Sequence, residues 1–148
     1  MITIHPNLTS TSQQAFTLFE KSGLGEKKEG KIIYSVYEAV YLIEKKKAIG
    51  KIKLKKSQEN TYLVFKDLRK KGYIPKAGLK FGADFRVYVK SEKHARYLLH
   101  IAEEKDKASF KELLTKTRIS HSTAKKLLIA IIDSQKDITY LEMDWMKM

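Results

Sequence analysis

From Ala83 onward the chain alternates. Ala83, Phe85, Val87 and Val89 are apolar, and Asp84, Arg86 and Tyr88 fall between them. A period of two predicts a strand with one buried face, and it sets Tyr88 on the polar face beside Arg86. After a turn at Lys90 to Lys93, a second strand is expected from near His94, alternating through Ala95, Tyr97, Leu99 and Ile101. A short loop thus joins a polar-face tyrosine to a strand-entry histidine.

The flanking patterns are mixed. Ile2 and Ile4 alternate as far as His5-Pro6, and a helix follows with Phe16 and Phe19 on its apolar side. Lys31 to Tyr34 reads as a brief strand. Ser35 then opens a helix, with Glu38 at capping-box spacing and Val36, Ala39, Val40 and Ile43 as its stripe. Gly50 is expected to stop that helix, and Ile52 and Leu54, alternating with lysines, to form an exposed strand. A second unit starts near Ser57. There Tyr62, Phe65 and Leu68 share a helical face, Gly72 supplies a left-handed stop, and Tyr73 to Lys76 with Pro75 reads as an edge strand. Ser109 and Glu112 repeat the capping spacing ahead of a helix whose face is Phe110, Leu113, Leu114 and Thr117. The unbroken apolar run Leu127 to Ile132 predicts a strand buried on both faces. Beyond Asp133 to Asp137, a last strand carries Leu141, Met143 and Trp145 on one side and Ile138, Tyr140 and Met146 on the other. The class is α+β: a small N-terminal α/β module over residues 1–57, then a C-terminal mixed β-sheet domain flanked by helices over 58–148.

Charge narrows the partners. Thirty Lys and Arg against 17 Asp and Glu give a net charge of +13. Such a field suits a polyanion, either nucleic acid or an acidic membrane surface, although a solvated lysine surface has the same composition. Only four of the basic residues are arginine (Arg69, Arg86, Arg96 and Arg118), so an arginine marks a place that needs a planar, forked donor. Cysteine is absent, which excludes a disulfide framework and thiolate metal sites. No apolar run reaches membrane-spanning length, no signal-peptide core opens the chain, and a cytoplasmic protein is expected. Gly78 and Gly82 read as turn glycines, because neither GxGxxG nor a P-loop pattern surrounds them. No His, Asp or Glu cluster has metal-ligand spacing, so neither a metal nor a nucleotide cofactor is expected.

The run Gly78-Leu-Lys-Phe-Gly-Ala-Asp-Phe-Arg-Val-Tyr88 resembles the signature of the catalytic domain of tRNA-splicing (tRNA-intron) endonucleases of archaeal type. The order of elements from Gly30 to about Tyr140 fits that family. The resemblance implies a restriction-endonuclease-like catalytic domain. In the family a tyrosine ends this strand, a histidine follows the next loop, and a lysine opens a buried strand further on. The matching positions are Tyr88, His94 and Lys125. The Tyr88-to-His94 connection is shorter than the family's, lacking its Pro-Gly-Asp-Pro-like segment. The implied reaction is metal-independent cleavage of precursor tRNA at a bulge-helix-bulge, leaving a 2′,3′-cyclic phosphate and a 5′-OH. Tyr88 would be the base, His94 the acid and Lys125 the cation that stabilises the phosphorane. A free phenol is ionised in only about one molecule per thousand at pH 7, so Tyr88 stands either as base or as a positioning group.

Further RNA contacts are expected from Arg118, Lys126 and His121. Arg118 could stack on an extruded base or simply satisfy helix-end carbonyls. Asp133 and Asp137 occupy the loop through which family members dock onto another subunit. The implied assembly is a heterotetramer with a structural subunit, or else a homotetramer. Two other functions compete: a non-catalytic structural subunit of the same endonuclease, and a generic basic RNA-binding module. The complete set Tyr88, His94 and Lys125 argues against the first, and cleavage itself would exclude the second.

Overall fold

The structure, a computed structural model, describes residues 1–148, and its contacts divide the chain into two compact units, Met1–Tyr62 and Leu63–Met148. The first contains β1 (Ile2–Thr3), β2 (Thr9–Ser10), α1 (Gln13–Ser22), β3 (Glu26–Lys28), β4 (Lys31–Ile33), α2 (Val36–Glu44) and β5 (Ala48–Ile49). β1 pairs with β5 in parallel, and β2, β4 and β3 form an antiparallel sheet in that order.

The capping box at Ser35 is present in full, and its Glu38 is buried. One carboxylate oxygen accepts from Ser35 N–H at 3.0 Å, the other from Gly25 N–H at 2.7 Å. The same side chain therefore caps α2 and ties down the loop before β3. Ala39 and Leu42 fill the core from α2, and Val40 is only half-buried. The helix does not run to Gly50. Lys46 turns left-handed (φ 59°), with Lys46 N–H bonded to Ile43 O at 3.0 Å and Lys47 N–H to Leu42 O at 2.9 Å. That is a Schellman closure. It releases Ala48 and Ile49 to pair with β1, so Ile52 and Leu54 form no strand.

The second unit is built on α3 (Glu59–Lys70, which crosses the division), β6 (Tyr73–Ala77), β7 (Phe85–Val89), β8 (Tyr97–Glu103), α4 (Phe110–Ser122), β9 (Lys126–Ile132) and β10 (Ile138–Met143). The strand order is β10-β9-β8-β7-β6. Only β8 and β9 are parallel, joined by α4 as the crossover such a pair requires. α3 lies on one face, where Phe65 packs on Phe85 with ring centroids 6.1 Å apart. The Tyr140 hydroxyl donates to Asp67 on the same face at 2.6 Å. No helix is long and apolar enough to cross a membrane.

Three local expectations are corrected. Pairing of β8 begins at Tyr97, opposite Val87, not at His94, because residues 90–96 are spent on the turn. As the central strand, β8 buries Leu98 and Leu99 together. α4 buries Thr117 as expected and half-buries Leu113, but it leaves Phe110 91% and Leu114 43% exposed and turns Ser120 inward instead. The Thr117 and Ser120 hydroxyls donate to Leu113 O (2.6 Å) and Lys116 O (3.1 Å), so small polar side chains line the buried face without orphaned groups. Finally, β10 ends at Met143. Tyr140 is held by Asp67, leaving Leu141 as the exposed large apolar side chain of the strand.

Candidate active site

Register gathers the predicted residues. Val87 stands opposite Tyr97, and Tyr97 opposite Lys126. Tyr88 lies one residue past Val87, Lys125 one before Lys126, and the loop bearing His94 joins β7 to β8 at the same level. All three therefore stand at one end of three adjacent strands.

The pleat then sorts them by face. Arg86, Leu98 and Leu127 are cross-strand neighbours on one face; Val87, Tyr97 and Lys126 are on the other. Tyr88 shares the face of Arg86, and Lys125, two before Leu127, belongs to it as well. Lys126 points to the opposite face, with its Nζ 3.9 Å from Glu142 Oε2. By this register Tyr88 and the first of the two lysines share a face, and the second lysine does not.

Each group is locally fixed. The chain leaves α4 through Ala124 in a left-handed conformation (φ 59°), with Lys125 N–H bonded to Ser120 O at 2.8 Å. Lys125 is half-buried. Its Nζ donates to Thr123 O at 3.0 Å and sits 5.0 Å from the centroid of the Phe81 ring. Phe81 is placed there by the turn Leu79–Phe81, which has no room for a side chain at Gly78: a Cβ would lie 2.8 Å from Ala83 O. Gly78 thus serves a tight backbone approach, and Gly82 the left-handed end of the turn (φ 67°). His94 is exposed beside buried Ala95, and Glu92 N–H bonded to Val89 O at 3.0 Å closes the short turn before it. An Arg96–Glu92 ion pair spans the same loop.

Arg86 is the contact that the sequence reading left without a role. Its Nη1 donates to Tyr88 Oη at 2.5 Å, its Nε donates to Ala77 O at 2.9 Å, and the guanidinium carbon lies 5.5 Å from the Tyr88 ring centroid. Alternation had put Arg86 beside Tyr88; the bond could not be read from it.

The remaining predicted residues lie further out. Arg118 is exposed on α4. His121, in the last turn of α4, packs against Trp145 with the ring centroids 4.8 Å apart and tilted by 54°, and its Nδ1 lies 4.0 Å from Asp144 Oδ1. Asp133 is engaged within its own turn, where one carboxylate oxygen accepts from Gln135 N–H (2.9 Å) and Asp137 N–H (3.0 Å). Asp137 is exposed. No group of three or more His, Asp or Glu residues is arranged to hold a metal ion.

Comparison with known proteins decides the family. A profile described as tRNA intron endonuclease, catalytic C-terminal domain, matches residues 58–140. The chain belongs to the tRNA-intron endonuclease family. The tRNA-splicing endonuclease of Thermococcus kodakarensis is 36% identical over 155 residues, covering 93% of this chain and 92% of that one. The one from Pyrococcus abyssi is 34% identical, with 93% and 91% covered. That of Methanothermobacter thermautotrophicus is 34% identical, with 88% and 86% covered. The likeness to tRNA-splicing endonucleases therefore runs through both compact units. The matched catalytic domain contains Tyr88, His94, Lys125, Arg118, His121, Lys126, Asp133 and Asp137.

Proposed function

We propose that this chain is the catalytic subunit of a tRNA-splicing endonuclease that cuts precursor tRNA at bulge-helix-bulge sites without a metal. The observation that carries the reading is the convergence of Tyr88, His94 and Lys125 at one end of β7, β8 and β9, inside the matched catalytic domain.

The chemistry follows from what RNA supplies. The 2′-OH next to the scissile phosphate is the nucleophile, so no metal-bound hydroxide is needed. Tyr88 takes or orients the 2′-OH proton, and oxygen attack on phosphorus forms the phosphorane. The Lys125 ammonium offsets the charge gained by the non-bridging oxygens, and His94 protonates the departing 5′-oxygen. The P–O5′ bond breaks, leaving a 2′,3′-cyclic phosphate on one fragment and a 5′-OH on the other. The exposure of His94 suits a group that must meet the leaving oxygen of a large substrate.

The same reading assigns Arg118, His121 and Lys126 to the RNA path. It makes the working enzyme a tetramer, either with a structural subunit as partner or as four copies of this chain, docked through the Asp133–Asp137 loop. Exposed Leu141 (47%), Trp145 (41%) and Met146 (75%) support a covered surface at the C-terminal end of the sheet. The test is incubation of the full chain with a synthetic bulge-helix-bulge RNA in excess EDTA, followed by analysis of the ends. Cyclic phosphate and 5′-OH ends are expected. Ends bearing a 3′-OH would sink the mechanism, and binding without cleavage would indicate a structural subunit or a binding module.

A further inference from the structure

We propose that Arg86 is a positioning residue that acts on the cleavage reaction through Tyr88; this rests on the reading of Tyr88 as part of the site. Arg86 and Tyr88 are two apart on β7, so their side chains leave the same face and run alongside each other. The guanidinium is held at both ends, by Nε to the Ala77 carbonyl of β6 (2.9 Å) and by Nη1 to the Tyr88 oxygen (2.5 Å). The first bond ties β6 to β7. The second adds nothing to that tie, yet it fixes where the phenol oxygen sits.

It also determines what that oxygen can do. An arginine has no lone pair to offer, so the bond must run from Nη1–H to the phenol oxygen. One lone pair of Tyr88 is thereby occupied, and its own O–H, which Arg86 cannot accept, is left to another partner. A permanent positive charge stands beside the one oxygen on which negative charge would develop during proton transfer. A lysine at 86 keeps the charge but not the planar fork that reaches Ala77 O and Tyr88 Oη together. In a chain whose default cation is lysine, that geometry accounts for an arginine here.

The test is a double-mutant cycle on the full chain, in the assembly that cleaves a synthetic bulge-helix-bulge RNA. Single-turnover rates at saturation and RNA dissociation constants are measured for Arg86→Gln, Arg86→Lys, Tyr88→Phe and the doubles. Arg86→Gln and Arg86→Lys should each slow cleavage by about tenfold or more, with RNA affinity changed less than about threefold. In the Tyr88→Phe background, which lacks only the hydroxyl, neither should cause any further loss. Arg86→Lys guards against a folding artefact, since its thermal midpoint can be compared with that of the native chain. Additive losses in the double mutants would overturn the proposal and show that Arg86 acts on RNA directly or only ties β6 to β7. A Tyr88→Phe variant cutting at the native rate would remove Tyr88 from the site. An impaired Tyr88→Phe with unimpaired Arg86 variants would remove Arg86 alone.

Discussion

Two side chains with the same alphabetical claim, Lys125 and Lys126, end up on opposite faces of one sheet. Lys125 is ordered by the Thr123 carbonyl and the Phe81 ring, on the face of Tyr88, and Lys126 approaches Glu142. On the proposed mechanism, Lys125→Ala and His94→Ala should each lower the single-turnover cleavage rate by about 10² or more, because both groups act on charge that exists only in the transition state. Gel-shift affinity should survive in both variants. Near-native rates for the pair would dismantle the assignment. A third side chain ties stability to pH. His100 is half-buried on β8, and burial first, then the Lys116 ammonium, push its pKa below the usual 6.5, with Asp84 opposing. The unfolded chain therefore binds the proton at a higher pH than the folded one. Stability from this residue is present above the unfolded value and is lost as pH falls from about 6.5 toward the folded one. Thermal midpoints recorded from pH 8 to pH 5 should decline, and His100→Gln should remove part of that slope. An unchanged slope in the variant would mean that other groups carry it.

Elements here are set as much by how they stop as by how they start. Ser35 and Glu38 start α2 as their spacing predicts, but the helix ends at a lysine in a left-handed conformation rather than at the available glycine. A non-glycine residue in that region costs roughly 1 kcal/mol, so Lys46→Gly should raise the unfolding free energy by up to about 1 kcal/mol in urea titrations. A loss of stability instead would mean that the Lys46 side chain contributes more than its backbone strain costs. The same logic explains the loop before β7. Gly78 is required because Ala83 O occupies the space of a side chain, and that approach brings Phe81 to Lys125. An element with no proposed catalytic atom thereby orients Lys125, which the proposed mechanism uses.

At the scale of the whole chain, part of the exposed apolar surface lies at the C-terminal end. Leu141, Trp145 and Met146 are exposed there, and β10 is an edge strand with unpaired backbone groups along one side. Edges of that kind are ordinarily covered or charged. The proposed bulge-helix-bulge substrate presents two cleavage points, which would suit two active centres related by a dyad. Light scattering of the purified chain should give a mass above the 17.1 kDa of one copy, or a shift to a heterotetramer on adding a structural subunit. A monomer that cleaves at full rate would dispose of the assembly proposal.

The periodicities alone carried a good deal. Alternation from Ala83 to Val89 set Phe85 and Val87 in the core and Tyr88 outside it, because a strand's side chains have only two directions to take. The capping pairs and Gly72 marked helix ends for equally local reasons. What sequence could not settle is where pairing begins, since that depends on which strand lies alongside. His94 falls in a turn because Val87 meets Tyr97. Ile52 and Leu54 alternate like a strand but lack a partner, since β1 had already taken Ala48 and Ile49. Thr117 faces inward as its spacing predicts, but Ser120 joins it in place of Phe110 and Leu114, because both satisfy their hydroxyls on their own helix and pack as small residues would. The resemblance already named Lys125, but the opposite facing of Lys126 and the bond from Arg86 to Tyr88 exist only once β7, β8 and β9 are in register. A contact between faces and across strands has no signature along the chain.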